Sequence, residues 1–273
     1  MAGYDTQAFG AFERAGWQRV GGAYSDSFGR VTRQSAGPLL DAVGLRAGMR
    51  LLDVCCGPGF VTLAAAQRGA SAVGLDATPA MFAATQAAHP EIEFHAGDAQ
   101  ALPFPDGSFD AVVCSFGILH LPEPQRGVAE AFRVLKPGGR YALTDWPPPA
   151  PGTHRGLFAE AVQRHGDPHV PVPAGPAPGQ FADRAQSARA LTAAGFVAPG
   201  FRELALELTG VPAAAVADTL VAGGVRMAAL FAAQTPAAQA NIRAAIAELA
   251  CAFERDGTVR IPAPAALAWA TKP

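Results

Sequence analysis

Lysine is almost missing from this 273-residue chain: Lys136 and Lys272 are the only two. Arginine supplies the remainder of 21 basic residues, set against 23 acidic ones for a net charge of -2. That balance leaves no electrostatic footprint for nucleic acid, so no nucleic-acid partner is expected. Also absent is any run of the roughly 18–20 uninterrupted apolar residues that a membrane helix needs. The Ala/Val-rich stretch near 213–225 is broken by Asp218 and by Gly223-Gly224. The first ten residues hold no basic segment followed by an apolar one, so no secretory signal is expected. The four cysteines, Cys55, Cys56, Cys114 and Cys251, include no C-x-x-C pair. A zinc site is therefore not expected, and the thiols read as reduced and mostly buried in a cytoplasmic protein.

What is present in excess is alanine. The chain is 50% hydrophobic and 16% charged, and 61 residues are Ala. Without them, about 28% of the chain is larger apolar residues, an ordinary globular core. The richness in Ala, Gly, Pro and Arg reads as a GC-rich coding bias, and Ala-rich stretches carry no functional weight.

The pattern along the chain alternates strand and helix. Residues 1–37 read as one or two short helices through Phe12, Trp17 and Val20, and 38–47 as another, with Pro38 near its start. Short apolar runs at 50–55, 71–75, 91–95, 110–115 and 140–146 read as buried strands. Helical stretches at 60–68, 79–88 and 125–135 separate them, and Lys136-Pro137-Gly138-Gly139 reads as a turn. Alternation at this spacing means βαβ units and a parallel sheet covered on both faces. Residues 147–180 hold nine prolines and read as a long irregular excursion. A helix at 186–194, a strand at 201–208, helices over 212–254 and one or two strands at 258–270 complete the reading. The last helical part carries an apolar stripe of Ile242, Ile246, Leu249 and Phe253.

Chemistry concentrates in Leu51-Leu52-Asp53-Val54-Cys55-Cys56-Gly57-Pro58-Gly59. A strand, a glycine turn and a helix allow close approach of a ligand, since no Cβ intervenes. Position 62 is Thr, and Asp53 lies inside the strand; both depart from the dinucleotide fingerprint and argue against NAD. A second acid, Asp76, ends the second strand, where an acid accepts from a ribose diol in nucleotide-binding α/β folds. A third, Asp98, follows the third strand. Three acids after three consecutive strands line one sheet edge, the edge at which α/β ligands bind.

With these go Leu102-Pro103-Phe104-Pro105-Asp106-Gly107-Ser108-Phe109-Asp110 and Val134-Leu135-Lys136-Pro137-Gly138-Gly139. Together, residues about 45–150 resemble the class I S-adenosylmethionine (SAM) methyltransferase domain, in its ubiquinone/menaquinone C-methyltransferase-like (type 11) branch. The resemblance implies an α/β, Rossmann-like, doubly wound sheet of about seven mostly parallel strands with the last strand antiparallel. N-terminal helices and a helical lid insertion would accompany it. Residues 1–45 would form a helical cap, 46–150 the SAM-binding core, and 151–273 the lid insertions and last strands.

The same resemblance implies roles. Asp53, Gly57 and Gly59 would hold the methionine part of SAM, and Asp76 the ribose hydroxyls. Ala77 and Met81 would flank the adenine, Asp98 would accept from its amino group, and the Ala99 N–H would meet a ring nitrogen. Ser115 would offer its carbonyl to the ammonium, and Tyr24 would close over the cofactor. No metal is implied. Cys55-Cys56 departs from the small or glycine-rich versions common in the family, but Cys is small enough to fit.

His120, in Ile118-Leu119-His120-Leu121-Pro122, is the candidate general base; its other role is to anchor the following helix. Phe116, Trp146 and Arg226 are candidates for the acceptor pocket, and residues 150–182 and 212–254 for a lid over it. His154, His165 and His169 read as surface loop residues. The expected acceptor is a small molecule methylated on O, N or C in specialised metabolism. A quinone-type C-methylation is the alternative, as is a SAM-fold protein with non-methyl chemistry or a regulatory role. Methylation of DNA bases fits poorly, because strand four ends in Cys114-Ser115-Phe116-Gly117, and Asp145-Trp146-Pro147-Pro148 comes after strand five. The chain is expected to act as a monomer or homodimer.

Overall fold

The structure, a computed structural model, describes residues 3–273; Met1 and Ala2, the first residues of the expected cap, lie outside the described residues. Three helices lead in: α1 (Thr6–Val20), α2 (Gly29–Thr32) and α3 (Ala36–Ala42). Asp5 caps α1, its carboxylate accepting from the backbone N–H groups of Gln7 and Ala8. The alternating core follows: β1 (Arg50–Val54), α4 (Phe60–Gln67), β2 (Ser71–Asp76), α5 (Ala83–Ala88), β3 (Glu93–Ala96), β4 (Phe109–Ser115), α6 (Pro124–Val134) and β5 (Leu135–Asp145). Then come α7 (His154–His165), α8 (Arg184–Ala193), β6 (Val197–Leu204), β7 (Glu207–Thr209), α9 (Val216–Gly223), α10 (Val225–Ala232) and α11 (Pro236–Cys251). Short β8 (Glu254–Arg255), β9 (Thr258–Pro262) and β10 (Ala265–Thr271) end the chain.

The main sheet has seven strands in the order β3-β2-β1-β4-β5-β10-β6. Pairings among β1 to β5 are parallel, and β10 runs antiparallel to both β5 and β6. This is the expected fold class. The strand order reverses between β1 and β4, which opens a crevice at their carboxyl ends, where a ligand site belongs in such sheets.

Period-2 alternation sends neighbouring residues to opposite faces. Leu51, Ala111 and Val113 face a core shared with α3, α4, α7, α9 and α11, whereas Leu52, Val112 and Cys114 face one shared with α6 and α8. Both faces are covered, which is why these strands read as continuous apolar runs. Leu51 and Leu52 have no exposed surface, and truncating either to Ala costs about 2–5 kcal/mol.

The two lysines are both structural. Lys136 pairs with Asp110 at 2.7 Å, and Asp110 also accepts from the Arg50 N–H at 2.8 Å. Lys272 donates to the Phe132 and Leu135 carbonyls at the end of α6. Arg133 of α6 binds Glu130, Asp106 and the Leu102 and Phe104 carbonyls, which pins the Leu102–Phe109 connection to the sheet. Lys136–Gly139 interrupts the ladder rather than preceding it: Phe109 pairs with Leu135, and Ala111 with Arg140.

Several boundaries differ from expectation. The 147–180 excursion is not irregular throughout, because its proline-free centre folds as α7, capped by Thr153 accepting from Gly156 N–H. The single strand expected at 201–208 is two, β6 in the main sheet and β7 paired with β9 in a small second sheet. The helices expected over 212–254 are three, with breaks at Gly224 and before Pro236. Among the described residues no single helix is long and apolar enough to cross a membrane. Residues 213–223 and α10 together pass by composition but are bent by 107°, and Val216, Leu220 and Phe231 are buried in the core.

Candidate functional site

A cavity of about 190 Å³ opens at the β1/β4 crevice. Its floor is the carboxyl ends of β1, β2 and β4, and α1 lies over it through Gly10, Glu13, Arg14 and Trp17. Two strand ends leave the sheet in left-handed backbone that costs non-glycine residues energy, Cys55 at φ 56° and Phe116 at φ 54°. Both residues line the cavity. Such strain persists only where surrounding contacts hold it, and here the Phe116 N–H donates to Thr144 Oγ1 at 3.0 Å.

The glycine turn is built from the sequence upward. Gly59 sits at φ 79°, and a Cβ there would meet the Phe94 ring at 2.9 Å, so only glycine fits. Gly57 sits at φ 53°, and a Cβ would point toward Met81 Cε at 3.6 Å on the cavity wall. The Gly57 N–H donates to Asp76 Oδ2 at 2.9 Å, and the Thr78 N–H to Asp76 Oδ1 at 2.8 Å. Asp76 thus ties the turn to the end of β2 while its carboxylate borders the cavity. Burial raises its carboxyl above the usual range, against the pull of those two donors.

Asp53 lies under the turn with no exposed surface. Its Oδ2 accepts from the Thr62 N–H and hydroxyl at 3.0 and 2.7 Å, and its Oδ1 has no partner. Burial pushes this carboxyl up to about 7. A buried carboxylate oxygen left unpaired is costly, and a cationic group above the turn would offset that cost. The orphan oxygen beneath the turn therefore fits the cationic amino-acid end of SAM, and the Asp76 carboxylate at the cavity edge fits a ribose diol.

Of the expected site residues, Tyr24, Gly57, Asp76, Ala77, Met81, Asp98, Ser115, Phe116 and His120 line the cavity together. Asp53 and Gly59 shape it from beneath. Ala99 is not among the cavity-lining residues, and its side chain turns into the core. Tyr24 donates to Thr32 Oγ1 at 3.1 Å and meets Trp17 edge to face. Burial pushes its phenol up to about 12.

Two acceptor-pocket expectations are corrected. Trp146 is not on the wall; it stacks behind Phe116 with ring centroids 4.0 Å apart. Arg226 is exposed and donates to the Pro173 carbonyl at 2.7 Å, so the cavity lies elsewhere. No cavity-lining residue comes from 150–182 or 212–254. Those helices reach the site through α1, where α10 packs so closely that a Cβ on Gly16 would meet Val225 Cγ1 at 2.2 Å. The sequence reading missed Glu13 and Trp17. Their one signal was an acid and an aromatic four residues apart, hence on one helix face.

His154, expected on a surface loop, is instead 2% exposed between Phe28 and Trp146, with both ring nitrogens unpartnered. Burial first, and then the Arg155 charge, push it down to about 3; the Pro262 backbone, approaching without hydrogen-bond geometry, opposes both. The unfolded chain takes up this proton below about pH 6.5 and the folded chain does not, so stability falls as pH drops through that range. Asp145, pushed up to about 6 by burial, acts the other way: its contribution falls as pH rises from about 4 to 6. Urea unfolding at pH 7 and pH 5 separates the two. His154→Leu removes an acid-side loss of about 2 kcal/mol, and equal losses in wild type and variant would contradict this account.

Cys56 and Cys114 are buried, Cys55 is half-buried and Cys251 is exposed; all four are free thiols. Among the described residues, no group of three or more His, Cys, Asp or Glu is arranged to hold a metal ion.

Residues 52–143 match the profile of the methyltransferase domain family. The demethylmenaquinone methyltransferase of Renibacterium salmoninarum is 41% identical over 133 residues, covering 49% of this chain and 56% of that protein. The chain thus spans about half the length of the curated relatives it matches. Among solved structures, the YcgJ protein of Bacillus subtilis aligns at a TM-score of 0.55 with 22% identity, covering 88% of this chain and 98% of the other. The cyclase SpnF aligns at 0.54 with 22% identity, covering 88% and 81%. At these identities the likeness to the solved structures is one of fold.

Proposed function

We propose that this chain, whose residues 52–143 carry a class I SAM-dependent methyltransferase domain, binds SAM in the cavity beneath α1 and passes its methyl group to a small-molecule acceptor. The observation that carries the reading is the orphaned, buried Asp53 Oδ1 beneath a glycine turn that Asp76 holds in place. When bound, SAM supplies a methyl group made electrophilic by its sulfonium sulfur, and the chemistry needs no metal. The chain's own work is to bind, orient and exclude water. Asp53 and the Gly57–Gly59 turn hold the amino-acid end, and Asp76 holds the ribose. Met81 and Asp98 border the adenine. The acceptor is held close and in line, which turns a bimolecular encounter into a positioned one. His120, on the wall beyond Asp76, takes a proton from the acceptor.

For the acceptor we favour a quinone-type ring carbon, because the curated relatives in question are named demethylmenaquinone methyltransferases. A specialised metabolite methylated on O, N or C is the second reading. It is supported by α1, which closes the acceptor side yet lies outside the matched residues 52–143. The test is incubation with methyl-labelled SAM and a panel of a prenylated naphthohydroquinone, simple phenols and amines. Label in the naphthohydroquinone product supports the first reading, and label only in the others supports the second. No label in any small product while S-adenosylhomocysteine binds would sink methyl transfer, in favour of non-methyl chemistry on the same fold.

A further inference from the structure

Glu13 sits on α1 with 4% of its surface exposed, and its carboxylate borders the cavity. A buried carboxylate needs partners to offset its desolvation. The chain supplies one: Glu13 Oε2 lies 2.9 Å from His120 Nδ1, across 107 residues of sequence, and Oε1 has none. An ionised carboxylate only accepts, so the hydrogen in this bond sits on Nδ1. That fixes the neutral ring's tautomer and leaves Nε2 with a bare lone pair. Among the described residues Nε2 has no hydrogen-bond partner, and the ring is partly exposed on the cavity wall. Trp17 meets the imidazole edge to face, centroids 4.8 Å apart at 88°, and holds its plane.

From this geometry we infer that Glu13 is the positioning residue that makes His120 Nε2 a proton acceptor toward the cavity, so that the acceptor molecule is one that must lose an O–H proton. The inference rests on the methyl-transfer reading and adds a substrate class to it. The fitting acceptor is a phenol, enol or hydroquinone, whose oxygen or conjugated ring carbon becomes nucleophilic on deprotonation. An uncharged amine already presents its lone pair and has no use for the dyad. In the step, the acceptor O–H bond breaks, its electron pair stays on the acceptor, and a new N–H bond forms at Nε2. The resulting imidazolium stands against the Glu13 carboxylate and returns its proton to solvent at the cavity mouth. Asp76 on β2 and Asp145 on β5 add negative potential at the ring from below. Arg14, one residue beyond Glu13, is the cation lining the same wall.

The test is ring nitrogen NMR on the full chain carrying 15N-labelled histidine, with and without S-adenosylhomocysteine. At alkaline pH, wild-type His120 is expected to carry its proton on Nδ1 with Nε2 unprotonated. In Glu13→Gln the neutral ring is expected to lose its preference for the Nδ1 proton, because an amide can donate to Nδ1 as readily as accept from it. Glu13→Asp is expected to recover part of that preference. S-adenosylhomocysteine affinity within about threefold of wild type in each variant shows that the effect is on the ring and not on the fold. A neutral ring protonated on Nε2 in wild type overturns the inference, and that measurement needs no variant. An unchanged ratio of the two ring tautomers in folded Glu13→Gln also overturns it. Absence of methyl transfer by wild type would remove the function proposed above while leaving the ring measurement as found.

Discussion

Replacing Asp76 by Ala is expected to raise the Kd for S-adenosylhomocysteine about 100-fold, on the order of 2–3 kcal/mol. Two losses combine. The Gly57 and Thr78 N–H groups lose their acceptor, which loosens the glycine turn, and the ribose hydroxyls lose a charge-assisted partner. Asp76→Asn is not conservative here. Both carboxylate oxygens already accept a backbone N–H, so an amide must turn its NH2 toward one of those donors. The asparagine variant is therefore expected to lose affinity on the same order. Calorimetric titration reads the change, and thermal unfolding without ligand separates it from loss of fold. Wild-type affinity in both variants would show that the ligand lies elsewhere.

Turnover in His120→Ala is expected to fall 10²- to 10⁴-fold, the usual worth of a positioned proton acceptor. S-adenosylhomocysteine affinity is expected to stay within about threefold, because the proposed cofactor contacts are made by Asp53, the glycine turn and Asp76 and not by His120. Steady-state rates with the acceptor found in the panel, set beside calorimetry, make the comparison. Near-wild-type turnover would reduce His120 to an anchor for α6 and its contact with Trp17. The order of effects matters: Asp76 variants fail in binding, and the His120 variant fails in rate after binding.

The fold was legible because its signals are local. Leu51-Leu52 and Ala111 to Cys114 are buried on both faces of the sheet, so they appear as unbroken apolar runs. Gly57 and Gly59 mark a turn whose backbone only glycine adopts easily. Asp53, Asp76 and Asp98 stand out against a chain poor in charge. The cavity wall around His120 was less legible, because it is assembled from distant segments. Glu13 meets His120 across 107 residues, and no periodicity in either segment announces the other. His154 deceived for a similar reason: polar and proline-flanked, it reads as loop, yet α7 carries it beneath Trp146. Arg226, a candidate for the acceptor pocket, differs in the opposite sense. The break at Gly224 instead turns α10 so that Val225 packs on α1 and Arg226 points away, to Pro173. Alanine richness added to this, since it blurred the ends of the helices after residue 212.

The most direct test of the central claim is a crystal structure of the chain bound to S-adenosylhomocysteine. The account predicts the ribose hydroxyls on the Asp76 carboxylate, the ammonium above Asp53 and the Gly57–Gly59 turn, and the sulfur open toward the side of the cavity that holds His120 and Glu13. Ligand density outside the β1/β4 crevice, or a ribose that leaves Asp76 untouched, would contradict it.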